Sequence, residues 1–259
     1  MRPHDHIGWV FAGSSEFAAL SAQFLAEGAA LGERLMYIPE DPDPADMAGL
    51  AAVASPGALV VTSIAEVYGG GIVDPRRQRA TYTAAADEAL AAGFTGIRVA
   101  ADYTPLVANQ EQLAAWFRWE VVADRMVSEY PITALCGVDQ QKIDADALCR
   151  LATLHPLSSA SSPVPPFRLF SAAGMLCAEG DLDPVAVISI WRAIEDLPNG
   201  TGVLVDLATA TLTSHAVLTG LGQLSRSGVD VTIRGDRAAI GELKHWYAPP
   251  HDRMVLEVA

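Results

Sequence analysis

Short apolar runs recur along the chain, and between them apolar residues return every three to four positions, so the pattern alternates between the period of a strand and that of a helix. Ile7 to Ala12 (IGWVFA) is an expected strand. A small-residue turn leads from it into a helix starting near Glu16, with Ser14 or Ser15 as cap and an apolar face of Phe17, Leu20, Phe24 and Leu31. Further strands are expected at RLMYIP, ALVVTSI, GIRVAAD and ITALCGVD, and helices over 47–54, 75–92, 113–129 and 145–154. The three consecutive glycines of YGGGIVDP suit a loop over a site rather than an element interior. Short buried strands spaced by helices predict a parallel sheet covered on both faces.

A seam follows. HPLSSASSPVPP concentrates serine and proline, which reads as a semi-extended tether over 157–166 between a domain of residues 1–156 and a second of 167–259. In the second domain FRLFSAAGMLCAEGDLD predicts two strands around a turn at Ala173-Gly174. Then come a helix in PVAVISIWRAIEDL, a strand in GVLVDLA, a helix in SHAVLTGLGQLSRSG, a strand in VDVTIRG, a helix in DRAAIGELKHWY and a last strand in RMVLEV. Lys244, His245 and Trp246 fall in the packing and surface of that last helix.

Charge narrows the partners. The net charge of −14 is spread over both parts, with 10 basic against 20 acidic residues before residue 160 and 7 against 11 after it. Neither part offers the basic face that nucleic acid requires, and an acidic chain repels anionic membranes. No unbroken apolar run reaches membrane-spanning length, and Met1 to His6 lack the charged-then-apolar order of a signal peptide, so a cytoplasmic protein is expected. Cys136, Cys149 and Cys177 are widely spaced without a CxxC pair and read as reduced core residues.

The stretch FAGSSEF sits where a strand, tight turn and helix N-terminus would cradle a phosphate. A catalytic loop of that kind needs GxxxxGK[ST]; this one has a single glycine, no lysine, and Glu16 where the anion would sit. ATP hydrolysis is therefore not expected. His4, Asp5 and His6 have the residue types of a metal site but lie near a terminus and are expected to be unliganded, with no metal in the chain. His6, Asp102, Glu120, Cys136 and His155 are polar or reactive residues at predicted strand ends or on helices, and with Ser14 and Ser15 they make the candidate ligand pocket. The alternative is that Asp102 caps a turn, Glu120 faces solvent and Cys136 packs in the core. Trp116, Phe117 and Trp119 read as core or as the surface of a homodimer.

The blocks DHIGWVFAGSSEFAALSAQFLAEGAALGERLMYI, EVYGGGIVDPRRQRATYTAAADEALAAGFTGIRVAADYT and ITALCGVDQQKIDADALCRLATLHP resemble, in that order, the MEDS family, the sensory domain of methanogen and methylotroph DcmR-type regulators. The resemblance covers about residues 4–156. It implies a RecA- or KaiC-like α/β domain without a catalytic phosphate loop, and carries over His6, Asp102, Glu120, Cys136 and His155. The chain departs from the family at Gly8, where cysteine is common.

Over about residues 167–259, LCAEGDLD followed by a helix and then VLVDLATATLTSHAVLTGLGQL resembles a STAS domain, the fold of anti-sigma factor antagonists. Aligned from VDL, the family's usual aspartate falls on Ser214 and its phosphoacceptor on His215. Thr213 and Ser214 are the remaining candidates for phosphate or partner contact, or else helix caps. The resemblances imply a non-enzymatic cytoplasmic regulator in which a ligand-sensing domain controls binding of an anti-sigma factor or kinase-like protein. The alternative is a nucleotide-binding or ATP-dependent enzyme with an unorthodox phosphate loop. No cofactor is named by the sequence.

Overall fold

The computed structural model describes residues 4–43, 46, 48–49, 54, 57–69, 71–159, 161–246 and 253–259. The chain forms two compact units, 1–164 and 165–259.

The first unit is built on β1 (His6–Phe11), β2 (Arg34–Ile38), β3 (Leu59–Val61), β4 (Ile97–Asp102), β5 (Ile132–Asp139) and β6 (Leu157–Ser158). These make one sheet in the order β3-β2-β4-β5-β1-β6, and every pairing is parallel. Its helices are α1 (Ser14–Ala30), α2 (Ile64–Tyr68), α3 (Pro75–Ala91), α4 (Gln110–Glu129) and α5 (Ala145–Ala152). Side chains alternate across a strand, so Ile7 and Phe11 of β1 join Phe17, Phe24 and Leu25 of α1 on one face. Val10, with Val99 of β4 and Val138 of β5, packs on the other face against Trp116, Trp119 and Val122 of α4 and Leu148 of α5. His6 and Gly8 share the parity of Val10, which turns β1's one titratable side chain toward α4.

Three expectations are corrected. Ser14 and Ser15 do not cap α1: they are exposed first-turn residues, and Gly13 occupies the cap with φ 81 and no side-chain bond. The strand in ALVVTSI stops at Val61, because Ser63 and Glu66 form a reciprocal capping box that starts α2. The tether is shorter than its composition suggests. Leu157–Ser158 pair with β1, Ser159 donates its N–H to Gly8 O and accepts from Val10 N, and the Ser161 hydroxyl donates to Val10 O. Serine here satisfies an open sheet edge, a use that composition alone does not disclose. The helix expected over 47–54 lies largely outside the described residues.

On the α1 face Arg98 is fully buried, donating to Glu33 Oε2 at 2.6 Å and to Phe24 O at 3.3 Å. Gly28 leaves the space for it, since a Cβ there would stand 2.5 Å from Arg98 Cδ.

The second unit has β7 (Phe167–Ala172), β8 (Met175–Leu182), α6 (Pro184–Asp196), β9 (Val203–Leu212), α7 (His215–Arg226), β10 (Val231–Gly235), α8 (Arg237–Trp246) and β11 (Met254–Val258). The sheet runs β11-β10-β9-β8-β7, parallel except for the β7–β8 hairpin. That hairpin turns on Ala173 and Gly174, both at positive φ (49 and 81), the pair of angles a two-residue turn between twisted strands requires. Cys177 is buried and Cys136 and Cys149 half-buried, and none of the three is in a disulfide among the described residues. Lys244 and His245 are exposed at the end of α8; the side chain of Trp246 lies outside the described residues. No helix of the described residues is long and apolar enough to cross a membrane.

Candidate functional site

Four of the residues singled out from the sequence meet between the sheet and α4. His6 opens β1, Cys136 lies in β5 beside Gly8, Glu120 sits midway along α4, and His155 follows α5. His6, Glu120 and His155 are buried and Cys136 half-buried. Glu120 Oε2 stands 3.1 Å from His6 Nε2 and 3.4 Å from His155 Nε2, and Cys136 Sγ lies 3.5 Å from His6 Nε2. The two imidazole rings are tilted against each other with centroids 4.6 Å apart.

Local structure explains why each side chain arrives there. Asn109 caps α4, accepting from Gln112 N, and the helix buries Trp116, Trp119 and Glu120 on one face at the i, i+3, i+4 spacing. Asp144 caps α5, whose short run puts His155 three residues past its end. Gly8 provides room: a Cβ there would lie 2.7 Å from His155 Cγ. The ring of His155 thus fills the space that a side chain at position 8 would need.

The outer nitrogens of both rings are fixed. His6 Nδ1 lies 3.1 Å from Asp124 Oδ1, one turn along α4 from Glu120, and His155 Nδ1 lies 3.1 Å from Leu151 O. A carbonyl only accepts, so the His155 proton sits on Nδ1 when the ring is neutral and the Nε2 lone pair faces Glu120. Neither oxygen of Glu120, nor His155 Nε2, has an aligned hydrogen-bond partner. Electrostatics couples the group tightly. Burial works against the Glu120 charge, but His155 and His6 overcome it and hold the carboxyl down at about 2. Burial likewise pushes His155 down, yet the Glu120 charge and the contacts with Cys136 and Glu120 carry it up to about 9. His6 is raised well above the ordinary imidazole range, Cys136, Asp124 and Glu120 outweighing its burial.

Aromatic side chains wall the cluster. Trp116 stacks on Tyr103 at 4.6 Å, Trp119 stacks on Tyr82 at 5.8 Å, and the Tyr68 and Tyr82 hydroxyls are 2.8 Å apart. A cavity of about 30 Å³ touches His6, Cys136, Tyr68, Tyr82, Trp119 and Met126. That is room for a water-sized group and not for a nucleotide.

The other sequence candidates go elsewhere. His4 bonds Val127 O through Nδ1 and is separate from the group around His6. Asp102, at the end of β4, accepts from Thr104 N and Oγ1, the turn-capping role; burial raises its carboxyl and those two bonds oppose the shift. Glu120 does not face solvent. Asp124, which sequence reasoning missed, was findable as the i+4 neighbour of Glu120 on the same helix face.

The loop after β1 is filled by the chain's own carboxylates: Glu16 Oε2 accepts from Ala12 N at 2.7 Å and Asp139 Oδ1 from Gly13 N at 3.3 Å. In the second unit a groove of about 590 Å³ is bordered by Thr213, Ser214, His215, Leu218, Glu242 and Leu243. Thr213 donates its hydroxyl to Leu182 O, and Ser214 holds the cap position of α7 without a side-chain cap bond. His215, the first residue of α7, is exposed.

The family model for MEDS, the methanogen/methylotroph DcmR sensory domain, matches residues 5–156. The chain belongs to the MEDS family. The match runs from just before β1 to the residue after His155, covers β1 to β5 but not β6, encloses all four clustered residues, and does not extend over the second unit. No curated protein matches the chain. As a member of a sensory family, the protein has a signalling or regulatory role.

Proposed function

We propose that the MEDS unit senses a ligand at the His6–Glu120–Cys136–His155 cluster and thereby controls which protein the second unit binds, the second unit acting as a STAS-like partner-switching module for an anti-sigma factor or kinase-type regulator of transcription. The observation that carries the reading is the convergence of four reactive side chains, drawn from β1, α4, β5 and the end of α5, in a sensory domain whose phosphate loop lacks its lysine. A parallel six-stranded sheet is in keeping with a RecA- or KaiC-like ancestry, and Glu16 and Asp139 on the loop amides support sensing over ATP turnover. In the second unit, a hairpin followed by alternating helices and strands is in keeping with a STAS-like fold, and the groove beside Thr213, Ser214 and His215 offers the partner surface.

A ligand controls the second unit only if it binds one state of the protein better than another. The test is capture from a lysate of the source cells with the full chain and with residues 165–259, followed by mass-spectrometric identification. An anti-sigma factor or kinase-type regulator retained more strongly by the short chain is expected. Retention of no such regulator by either chain overturns the partner-switching reading.

A further inference from the structure

We infer that the His6–Glu120–Cys136–His155 cluster binds a divalent d-block cation of the zinc type, with the two imidazole Nε2 atoms, the Cys136 sulfur and one Glu120 oxygen as ligands. The inference takes the site on which the sensory reading rests and names the chemistry of what it holds; the metal claim itself stands on geometry.

The ligand atoms all lie within 4.8 Å of one another. A tetrahedral ion with Zn–N and Zn–O bonds of about 2.0–2.2 Å and a Zn–S bond of about 2.3 Å needs nitrogen–oxygen edges near 3.3 Å and nitrogen–sulfur edges near 3.5 Å. The observed separations are 3.1 and 3.4 Å for the two Nε2–Oε2 edges and 3.5 Å for Nε2–Sγ. Three edges among four side chains, drawn from elements up to 149 residues apart in sequence, thus match one ion's coordination shell, and the remaining edges stay within 4.8 Å.

The groups behind the ligands fit as well. Metal-bound imidazoles pass their other ring proton to a carboxylate or a backbone carbonyl, which fixes the tautomer and aims the ring. His6 has Asp124 and His155 has Leu151 O in those places. Both oxygens of Glu120 and Nε2 of His155 are buried without an aligned hydrogen-bond partner, an arrangement costly in a dry site. A dication removes the conflict. It meets two neutral imidazoles, one thiolate and one carboxylate, so the coordinated charge sums to zero; binding displaces the thiol proton of Cys136 and any proton the two histidines share with Glu120 to solvent. Nitrogen and sulfur donors in fourfold array select against calcium and magnesium, which take six or more oxygens.

The experiment is a Co²⁺ titration of the full chain after chelator treatment, with thiols kept reduced and the visible and near-ultraviolet spectrum recorded. One equivalent per chain is expected, with the intense visible bands of four-coordinate cobalt and a thiolate-to-cobalt band that Zn²⁺ then bleaches. Cys136→Ser should lose the thiolate band, and Asp124→Asn, which touches no metal, should weaken Co²⁺ affinity about 10- to 100-fold. Substoichiometric uptake, the pale spectrum of six-coordinate cobalt, or an unchanged near-ultraviolet band in Cys136→Ser overturns the inference and leaves a metal-free ion-pair cluster. The wild-type stoichiometry and spectrum decide the matter even where a variant fails to fold. The two readings fail separately: stoichiometric tetrahedral cobalt with partner capture indifferent to metal removal keeps the site and removes its sensory use, whereas no cobalt but altered capture in Glu120→Gln removes the metal and keeps the sensing.

Discussion

Strand β1 carries one region of interest at each end. At its C-terminal end, Ala12 to Glu16 form the turn that draws the eye in the sequence; at its N-terminal end, His6 lies within the buried cluster. The turn is contiguous, exposed and self-satisfied, its amides held by Glu16 and Asp139. The cluster is assembled across the sheet from four elements, buried, and poor in aligned hydrogen bonds. A turn of this shape is stable without a bound anion, because the chain supplies its own carboxylates to the amides. A buried group of two imidazoles, a thiol and a carboxylate is costly to keep without a use.

The largest test of this contrast is at the wall of the cluster. Trp116 is 1% exposed and stacks on Tyr103, one turn before Glu120 on α4. Trp116→Ala should cost about 3–5 kcal/mol in urea or thermal unfolding, through lost burial and the cavity left behind. A loss under about 1 kcal/mol would mean that the α4 face is not the rigid support the cluster needs.

Next in size is Gly8→Ala. The added methyl would meet the His155 ring at 2.7 Å, so either ring or backbone must shift, at about 1–3 kcal/mol. The same variant should weaken the Co²⁺ complex, since His155 can no longer hold its place. Unchanged stability together with unchanged cobalt binding would show that His155 has slack and that its position is not set by the glycine.

The alternation of strands and helices and the hairpin at Ala173-Gly174 were legible in the sequence, because each rests on a local period or turn signal; His6, Glu120, Cys136 and His155 were among its seven pocket candidates, but nothing in the sequence set those four apart from Ser14, Ser15 and Asp102. What was not legible depends on distance or on who satisfies whom. The partnership of His155 with the empty side of Gly8, the second role of Asp124, and the burial of Arg98 against Glu33 join residues far apart in the chain. Composition places Ser159 and Ser161 in a tether, whereas their hydroxyls close the edge of β1. Ser14 and Ser15 looked like caps because serine suits that position; Gly13 took it, with Glu16 bonding back to Ala12. Ser63 has the same residue type three positions before a glutamate and does form the box.

That last pair gives the next prediction. Ser63→Ala removes a side chain that accepts from Glu66 N and should cost about 1 kcal/mol of stability by thermal melting. Ser14→Ala and Ser15→Ala remove exposed hydroxyls without a cap bond and should stay within about 0.5 kcal/mol. Equal losses at Ser63 and Ser14 would mean that the turn after β1 is more tightly built than its hydrogen bonds indicate.

The smallest effect is the most informative about function. Glu16→Gln keeps the shape of the side chain and removes the charge that lies on Ala12 N. Because Glu16 is exposed, the charged bond is weakened by water, and a loss of about 0.5 kcal/mol is expected. The variant also takes away one of the two carboxylates that repel an incoming phosphate. If the turn were a nucleotide site merely masked by Glu16, ATP should bind the variant measurably in calorimetry where the wild type shows nothing. The expectation is no binding in either. Asp139 still holds Gly13 N, no lysine stands in the turn to balance terminal phosphates, and relieving one repulsion does not create an attraction. Heat of ATP binding in Glu16→Gln would return the exposed end of β1 to the centre of the protein's chemistry and reduce the cluster at its other end to a structural device.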